Sequence, residues 1–295
     1  IVSHKETTKI GPGIELTVFE RFDPRGWLNG EVLTIDLGNH AVTTDLLFPG
    51  VITDAKPVSE LTKLNGAVAG VNGDFFDINN TKALSGVMIQ NGNLLKGPQG
   101  AHTLAAGVDE HGLGKITNIF LEGTVHLPSG SVELAALNQS SIPVDGIGLY
   151  TSVWGEAQRP NTGSTYEVTV RNVVVESTSE QVGSGKISED CFILVGREAG
   201  AEQLRELSVG DEVSISYAPK VDGDFLMNFA IGGNIQIVKD GKVPADLDDT
   251  VTAPRSAVGF SKDGQTMILA VVDGRQIDSR GMTMKEIGEF MAEFG

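Results

Sequence analysis

The chain is short of the residue types that disulfide scaffolds, nucleic-acid binders and membrane proteins need. It has one cysteine in 295 residues, Cys191, inside the apolar run Cys191-Phe192-Ile193-Leu194-Val195. It can form no internal disulfide, and this thiol reads as a small buried hydrophobe rather than a nucleophile. Basic residues are scarce, 22 Lys and Arg against 39 Asp and Glu, for a formal charge of −17. Nucleic-acid affinity is built largely from cations neutralising phosphates, so a role on nucleic acid is excluded. No apolar run approaches the ~20 residues that a helix needs to cross a bilayer, and no membrane span is expected. The five histidines are scattered. H-E-x-x-H, paired C-x-x-C, G-x-S-x-G and a complete dinucleotide fingerprint are all missing. Without a repeat of 20–50 residues, a solenoid or propeller is also disfavoured.

Two partial motifs fail on their chemistry. Gly183-Ser184-Gly185-Lys186 has Ile187 where a phosphate loop needs Ser or Thr, and reads as a surface turn. Asp77-Ile78-Asn79-Asn80-Thr81 opens like a calcium loop, but Lys82 occupies the place of the sharp-turn glycine. The motifs require no cofactor. A divalent cation such as calcium is the one ion that the oxygen ligands at 77–81, or at Asp246-Leu247-Asp248-Asp249, would suit.

What is abundant is glycine, 37 residues, many in Asn-Gly or Asp-Gly pairs beside β-branched runs. Such pairs supply the positive φ of tight hairpins, so the chain is expected to be β-rich. Hairpin strands are predicted at Val87–Asn91, at Ile235–Val238 before Asp240-Gly241, and at Ser256–Phe260 turning through Asp263-Gly264 into Thr266–Val272. The last is apolar throughout and should be central. Three helices are expected: Ser59–Leu64 after Pro57, Ala199–Leu207, and 283–294. In the third, Thr283 and Glu286 form a capping-box pattern, and Met284, Ile287, Met291 and Phe294 recur at helical spacing. The fold class is α+β, with mixed sheets, few helices and a β-rich inserted subdomain at 147–218. That subdomain rests on the alternation in Tyr166–Val170, Asn172–Glu176 and Val213–Tyr217. The chain opens Ile1-Val2-Ser3-His4, without methionine or a basic-then-apolar leader, which suggests a processed product whose signal peptide is gone.

Four glycine-rich segments carry candidate chemistry. In Ala69-Gly70-Val71-Asn72-Gly73-Asp74-Phe75-Phe76, Asn72 and Asp74 would be displayed at a strand end while the phenylalanines anchor the turn in the core. In Ala230-Ile231-Gly232-Gly233-Asn234, the Gly232 and Gly233 amides would form an anion nest. Arg255 stands at the mouth of a buried strand and suits bidentate phosphate or carboxylate recognition. Asp273-Gly274-Arg275 brings a carboxylate and a cation out at a strand end. Each segment taken singly reads equally well as a plain turn or bulge.

In this order, NGDFF, SGVMIQNG, IGGNIQIVKDGK, PRSAVGF, VVDGR and GMTMKEIGEFM resemble the phosphodiester glycosidase family, the group that includes N-acetylglucosamine-1-phosphodiester alpha-N-acetylglucosaminidase. The resemblance runs from about Gly11 to Gly295. It implies a secreted or cell-surface bacterial hydrolase that splits a sugar–O–phosphate linkage of a glycan into free sugar and phosphomonoester. Asp273, Asn72 and Asp74 would be catalytic, with Arg255, Gly232, Gly233 and Arg275 binding substrate and phosphate. The family pattern continues into a further strand and an Asp-Gly-Gly-Gly loop, which this sequence stops short of. A complementary C-terminal fragment of the same precursor is therefore an expected partner. The alternative is an inactive homologue or a non-catalytic module that binds carbohydrate or cell-wall polymer.

Overall fold

The computed structural model describes residues 2–294. In chain order the elements are β1 (Val2–Gly11), β2 (Ile14–Asp23), β3 (Gly26–Asp36), α1 (Val58–Asn65), β4 (Met88–Gln90), β5 (Asn93–Lys96), β6 (Leu104–Asp109) and β7 (Gly114–Leu127). They continue with β8 (Gly130–Glu133), β9 (Ala136–Leu137), β10 (Ile147–Tyr150), β11 (Thr165–Arg171), β12 (Val174–Ser179) and β13 (Cys191–Arg197). After α2 (Ala199–Arg205) come β14 (Ser214–Val221), β15 (Met227–Gly232), β16 (Arg255–Phe260), β17 (Thr266–Val272) and α3 (Met284–Ala292). All three expected helices are present, and the fold is α+β with mixed sheets.

Three sheets result. The first has the order β1-β2-β3-β17-β16, the second β12-β11-β13-β10-β9, and the third β14-β7-β6-β15-β4-β5 with β8 paired to β7. Among the described residues only β9 and β10 run parallel; the other ladders between strands are antiparallel. The second sheet covers the middle of the chain, whereas β14 leaves it to pair with β7 along eight residues. At the β11–β12 turn Asn172 and Val173 both have positive φ, 48° and 63°. Two such residues make a hairpin turn that matches strand twist, although a β-branched residue is rarely found there.

The β16–β17 hairpin forms as read from its Asp-Gly turn, and β17 is central, between β3 and β16. Alternation along it serves two cores. Ile268, Ala270 and Val272 face α3, where they pack with Ile287, Phe290 and Met291. Met267 and Leu269 face the third sheet, in a cluster with Met88, Val108 and Phe229. A further core lies between the second and third sheets, with Ile89 and Ile119 against Leu149, Val168 and Leu194.

The start of α3 is tied down by charge. Thr283 and Glu286 form the expected reciprocal capping box. Arg280 donates to both Glu286 oxygens at 2.7 and 2.9 Å and to Asp23 at 3.0 Å, while Arg25 reaches Glu286 from solvent. Asp23 and Glu286 are 7% and 9% exposed. Burial pushes both carboxyls up, but the hydrogen bonds and charge of Arg280, with backbone amides, outweigh it and hold both below their ordinary values.

Two sequence expectations fail here. Ile235–Val238 joins no ladder; only the Lys239–Lys242 bridge forms, at its Asp240-Gly241 turn. Its apolar residues Ile237 and Val238 pack against the α3 core as an extended segment instead. Ala69–Val71 likewise pairs with nothing, and the segment makes its first bridge at Phe76, to Leu84.

Candidate active site

The open edge of the first sheet, β16, borders a cleft of about 2590 Å³, larger than the roughly 300–1,000 Å³ of an ordinary ligand pocket. On the β16 edge, Val258 and Phe260 belong to the core facing the third sheet, and Ala257 to the core under α3. The cleft therefore wraps around the unpaired edge and touches both faces of the sheet.

At one end of this cleft the two main motifs meet. Asn72 Oδ1 accepts a hydrogen bond from Ser256 Oγ at 2.7 Å, across 184 residues of chain. Ser256 lies opposite Val271 in the β16–β17 register, and alternation carries Asp273 to the same face. Asp273 is exposed, lines the cleft, and its backbone is fixed by Asn29 O and Ser279 Oγ. Arg255 pairs with Val272 and so starts from the α3 face. Its Nε and Nη2 donate to Met282 O and Val251 O at 3.0 and 3.1 Å, which commits two of its five N–H donors to backbone.

Asp74 is the most constrained group. Its φ is +61°, a left-handed conformation that aspartate tolerates better than most residues. Oδ1 accepts from Phe75 N at 2.7 Å and Oδ2 from Gly86 N at 2.6 Å. The carboxylate sits in a notch where Gly86 and Gly232 cross: a Cβ on Gly232 would lie 2.6 Å from Gly86 Cα and 2.7 Å from Asp74 Oδ2. No side chain other than hydrogen fits there. Burial raises the Asp74 carboxyl above its ordinary value, against the pull of the two amides, Lys96 and His102. Behind the notch, Lys96 is fully buried and donates to Gly86 O and Gly97 O, both at 2.8 Å, with Ser85 O at 3.4 Å. Burial lowers its ammonium to about 7.

The structure thus gathers Asn72, Asp74, Gly232, Gly233, Arg255 and Asp273 along one cleft. Arg275, at φ +60° and exposed, is outside it. Three details differ from the sequence reading. The Gly232 and Gly233 amides already donate to Val87 O and Leu104 O, so they make no free anion nest; their value is the space they leave. Phe75 and Phe76 do not enter the core: they are 54% and 41% exposed and line the cleft, because the turn at Asp74 points its carboxylate inward to Gly86. Lys96 was not singled out; its signal in the sequence is a lone lysine closing the apolar pair Leu94-Leu95.

Oxygen ligands at 77–81 and 246–249 are engaged in hydrogen bonds within the chain. Asp77 is occupied by Thr81, Asp248 by Thr250, and Asp249 by Thr283. Among the described residues no three His, Cys, Asp or Glu groups converge as metal ligands.

Residues 155–295 match the family model described as phosphodiester glycosidase. Arg255 and Asp273 fall inside the match, Asn72 and Asp74 outside it. No curated protein matches the chain. Two solved structures share its fold: a hypothetical protein from Synechocystis, with TM-score 0.80 and 17% identity, and a candidate exported protein from Burkholderia pseudomallei K96243, with TM-score 0.81 and 16% identity. Each is matched over 99% of this chain, which spans 56% of the Synechocystis protein and 88% of the Burkholderia protein. No helix of the described residues is long and apolar enough to cross a membrane.

Proposed function

Taking residues 155–295 as a phosphodiester glycosidase domain, we propose that the chain hydrolyses a glycosyl-1-phosphodiester of an extracellular or cell-surface glycan to a free sugar and a phosphomonoester. The observation that carries this reading is the Asn72–Ser256 hydrogen bond, which joins the Asn72–Phe76 segment to the strand pair bearing Arg255 and Asp273. Cleavage of the sugar C–O bond passes through an oxocarbenium-like state that needs a nearby carboxylate, and phosphate leaves readily once its charge is neutralised. Asp273 serves that charge or activates water. Asp74, with its carboxyl raised by burial, is suited to take up or give a proton or to hold a sugar hydroxyl beside Asn72. The remaining donors of Arg255 bind phosphate, with Arg275 a more distant contributor. The exposed rings of Phe75 and Phe76 offer an apolar face for a sugar.

The free edge of β16, with apolar side chains on both faces, supports one extension of this reading: a further strand of the precursor pairs there and completes the site. Export is supported by the description of the Burkholderia neighbour.

Hydrolysis of a panel of glycosyl phosphodiesters in ¹⁸O-labelled water tests the reaction. Label is expected in the sugar; label in the phosphate would overturn the roles of the carboxylates. Arg255→Ala should lower turnover far more than thermal stability, and equal losses would mark it as structural. Full activity from material whose intact mass equals these 295 residues alone would rule out the completing strand. Binding of a substrate analogue without turnover, even with that strand supplied, would favour a carbohydrate-binding module.

A further inference from the structure

We propose that Lys96 is a positioning residue for the Asp74 carboxylate, acting through the Ser85–Gly86 peptide. The inference rests on reading Asp74 as a group at the reacting centre. Residue 86 stands between two charges: its N–H donates to Asp74 Oδ2 at 2.6 Å, and its C=O accepts from Lys96 Nζ at 2.8 Å. Ser85 is held at both ends, its N–H on Phe75 O and its C=O shared by Gln99 N and Lys96 Nζ. The ammonium therefore holds the carbonyls on both sides of Gly86, and with them the amide that holds the carboxylate.

A lysine is an expensive way to fill a core. Burying an ammonium costs several kcal/mol, and an apolar chain of the same length would pack without that penalty. All three of its protons are satisfied by carbonyls, and no carboxylate touches it. The charge is thus left to act at a distance on Asp74, and Lys96 is the larger of the two coulombic influences that lower its carboxyl. The Lys96 charge opposes the desolvation that raises the Asp74 carboxyl, and Asp74 in turn opposes the desolvation that lowers the Lys96 ammonium to about 7. Loss of the ammonium should raise the Asp74 titration and loosen the Gly86 amide.

The test compares wild type with Lys96→Met and Lys96→Gln; glutamine keeps donors for the carbonyls while removing the charge, and serves if the methionine variant does not fold. The Asp74 carboxyl is followed by ¹³C NMR against pH, with Asp74→Asn to assign the signal, and Gly86 by amide exchange. An upward shift of about one pH unit with faster Gly86 exchange is the expected result. In the hydrolysis assay the acid limb of kcat/KM should move up by the same amount, with kcat falling and KM nearly constant. An Asp74 titration unchanged in a folded variant would overturn the proposal. If wild type hydrolyses no glycosyl phosphodiester, the functional reading fails, while the titration still decides the coupling of Lys96 to Asp74.

Discussion

Two of the molecule's buried arrangements of opposite charge are built in opposite ways. At the start of α3, Arg280 touches Asp23 and Glu286 directly, and both carboxyls are held below their ordinary values. At the cleft, Asp74 and Lys96 are kept apart by the Ser85–Gly86 peptide, the carboxyl rises and the ammonium falls to about 7. Direct contact makes ionisation favourable and fixes structure. Separation leaves burial uncompensated, so the carboxyl is raised and the ammonium lowered, the direction in which acid–base groups are tuned. The contrast locates the chemistry better than the count of charges does.

Breaking the structural half should have the largest effect. Arg280→Met strands two buried carboxylates and should cost about 3–5 kcal/mol in denaturant unfolding at pH 7, with activity per folded molecule retained. Both carboxyls have depressed folded values, so their stabilisation is complete above the unfolded values near 4 and is lost as pH falls through the folded ones. The gap between wild type and variant should therefore narrow on acidification, and a constant gap would contradict the ion-pair account.

Asp74→Asn breaks the other half. We expect kcat/KM to fall roughly 10³-fold. The melting temperature should change little: loss of a carboxyl whose folded value is raised stabilises the fold above that value, while the asparagine NH2 cannot accept from the second backbone N–H and offsets the gain. A large loss of stability would move Asp74 into the structural class. Gly232→Ala sharpens the comparison further, since its Cβ meets Gly86 and Asp74. It should cost about 1–3 kcal/mol and most of the activity together. The smallest effect is expected from Thr283→Ala, about 1 kcal/mol from the lost cap, read as a small drop in melting temperature with unchanged kinetics.

Local chemistry explains what the sequence discloses. The capping box of α3 and the Asp263-Gly264 hairpin depend on neighbours within a few residues, and both are legible from the residues alone. The pairing of β17 with β3 joins residues 230 or more apart, and no local pattern encodes it. Ile235–Val238 has the alternation of a strand but no partner edge, so its side chains are buried without a ladder. At the site, Asn72, Asp74 and Asp273 stand out by type and glycine context. Lys96 does not, because its importance comes from the carbonyls around it, and a buried lysine looks like any other in a string of letters. The exposure of Phe75 and Phe76 was hidden for a related reason: aromatic residues beside a glycine turn usually point inward, and here the carboxylate takes that direction.

Val173, at φ +63° in the β11–β12 turn, has a consequence for engineering. A β-branched residue held left-handed stores about 1–2 kcal/mol, and the sheet carries it because β11 is locked to β13 over seven residues. The middle of the chain thus has stability in reserve. Glycine at 173 would release that reserve as thermal margin, well away from the cleft.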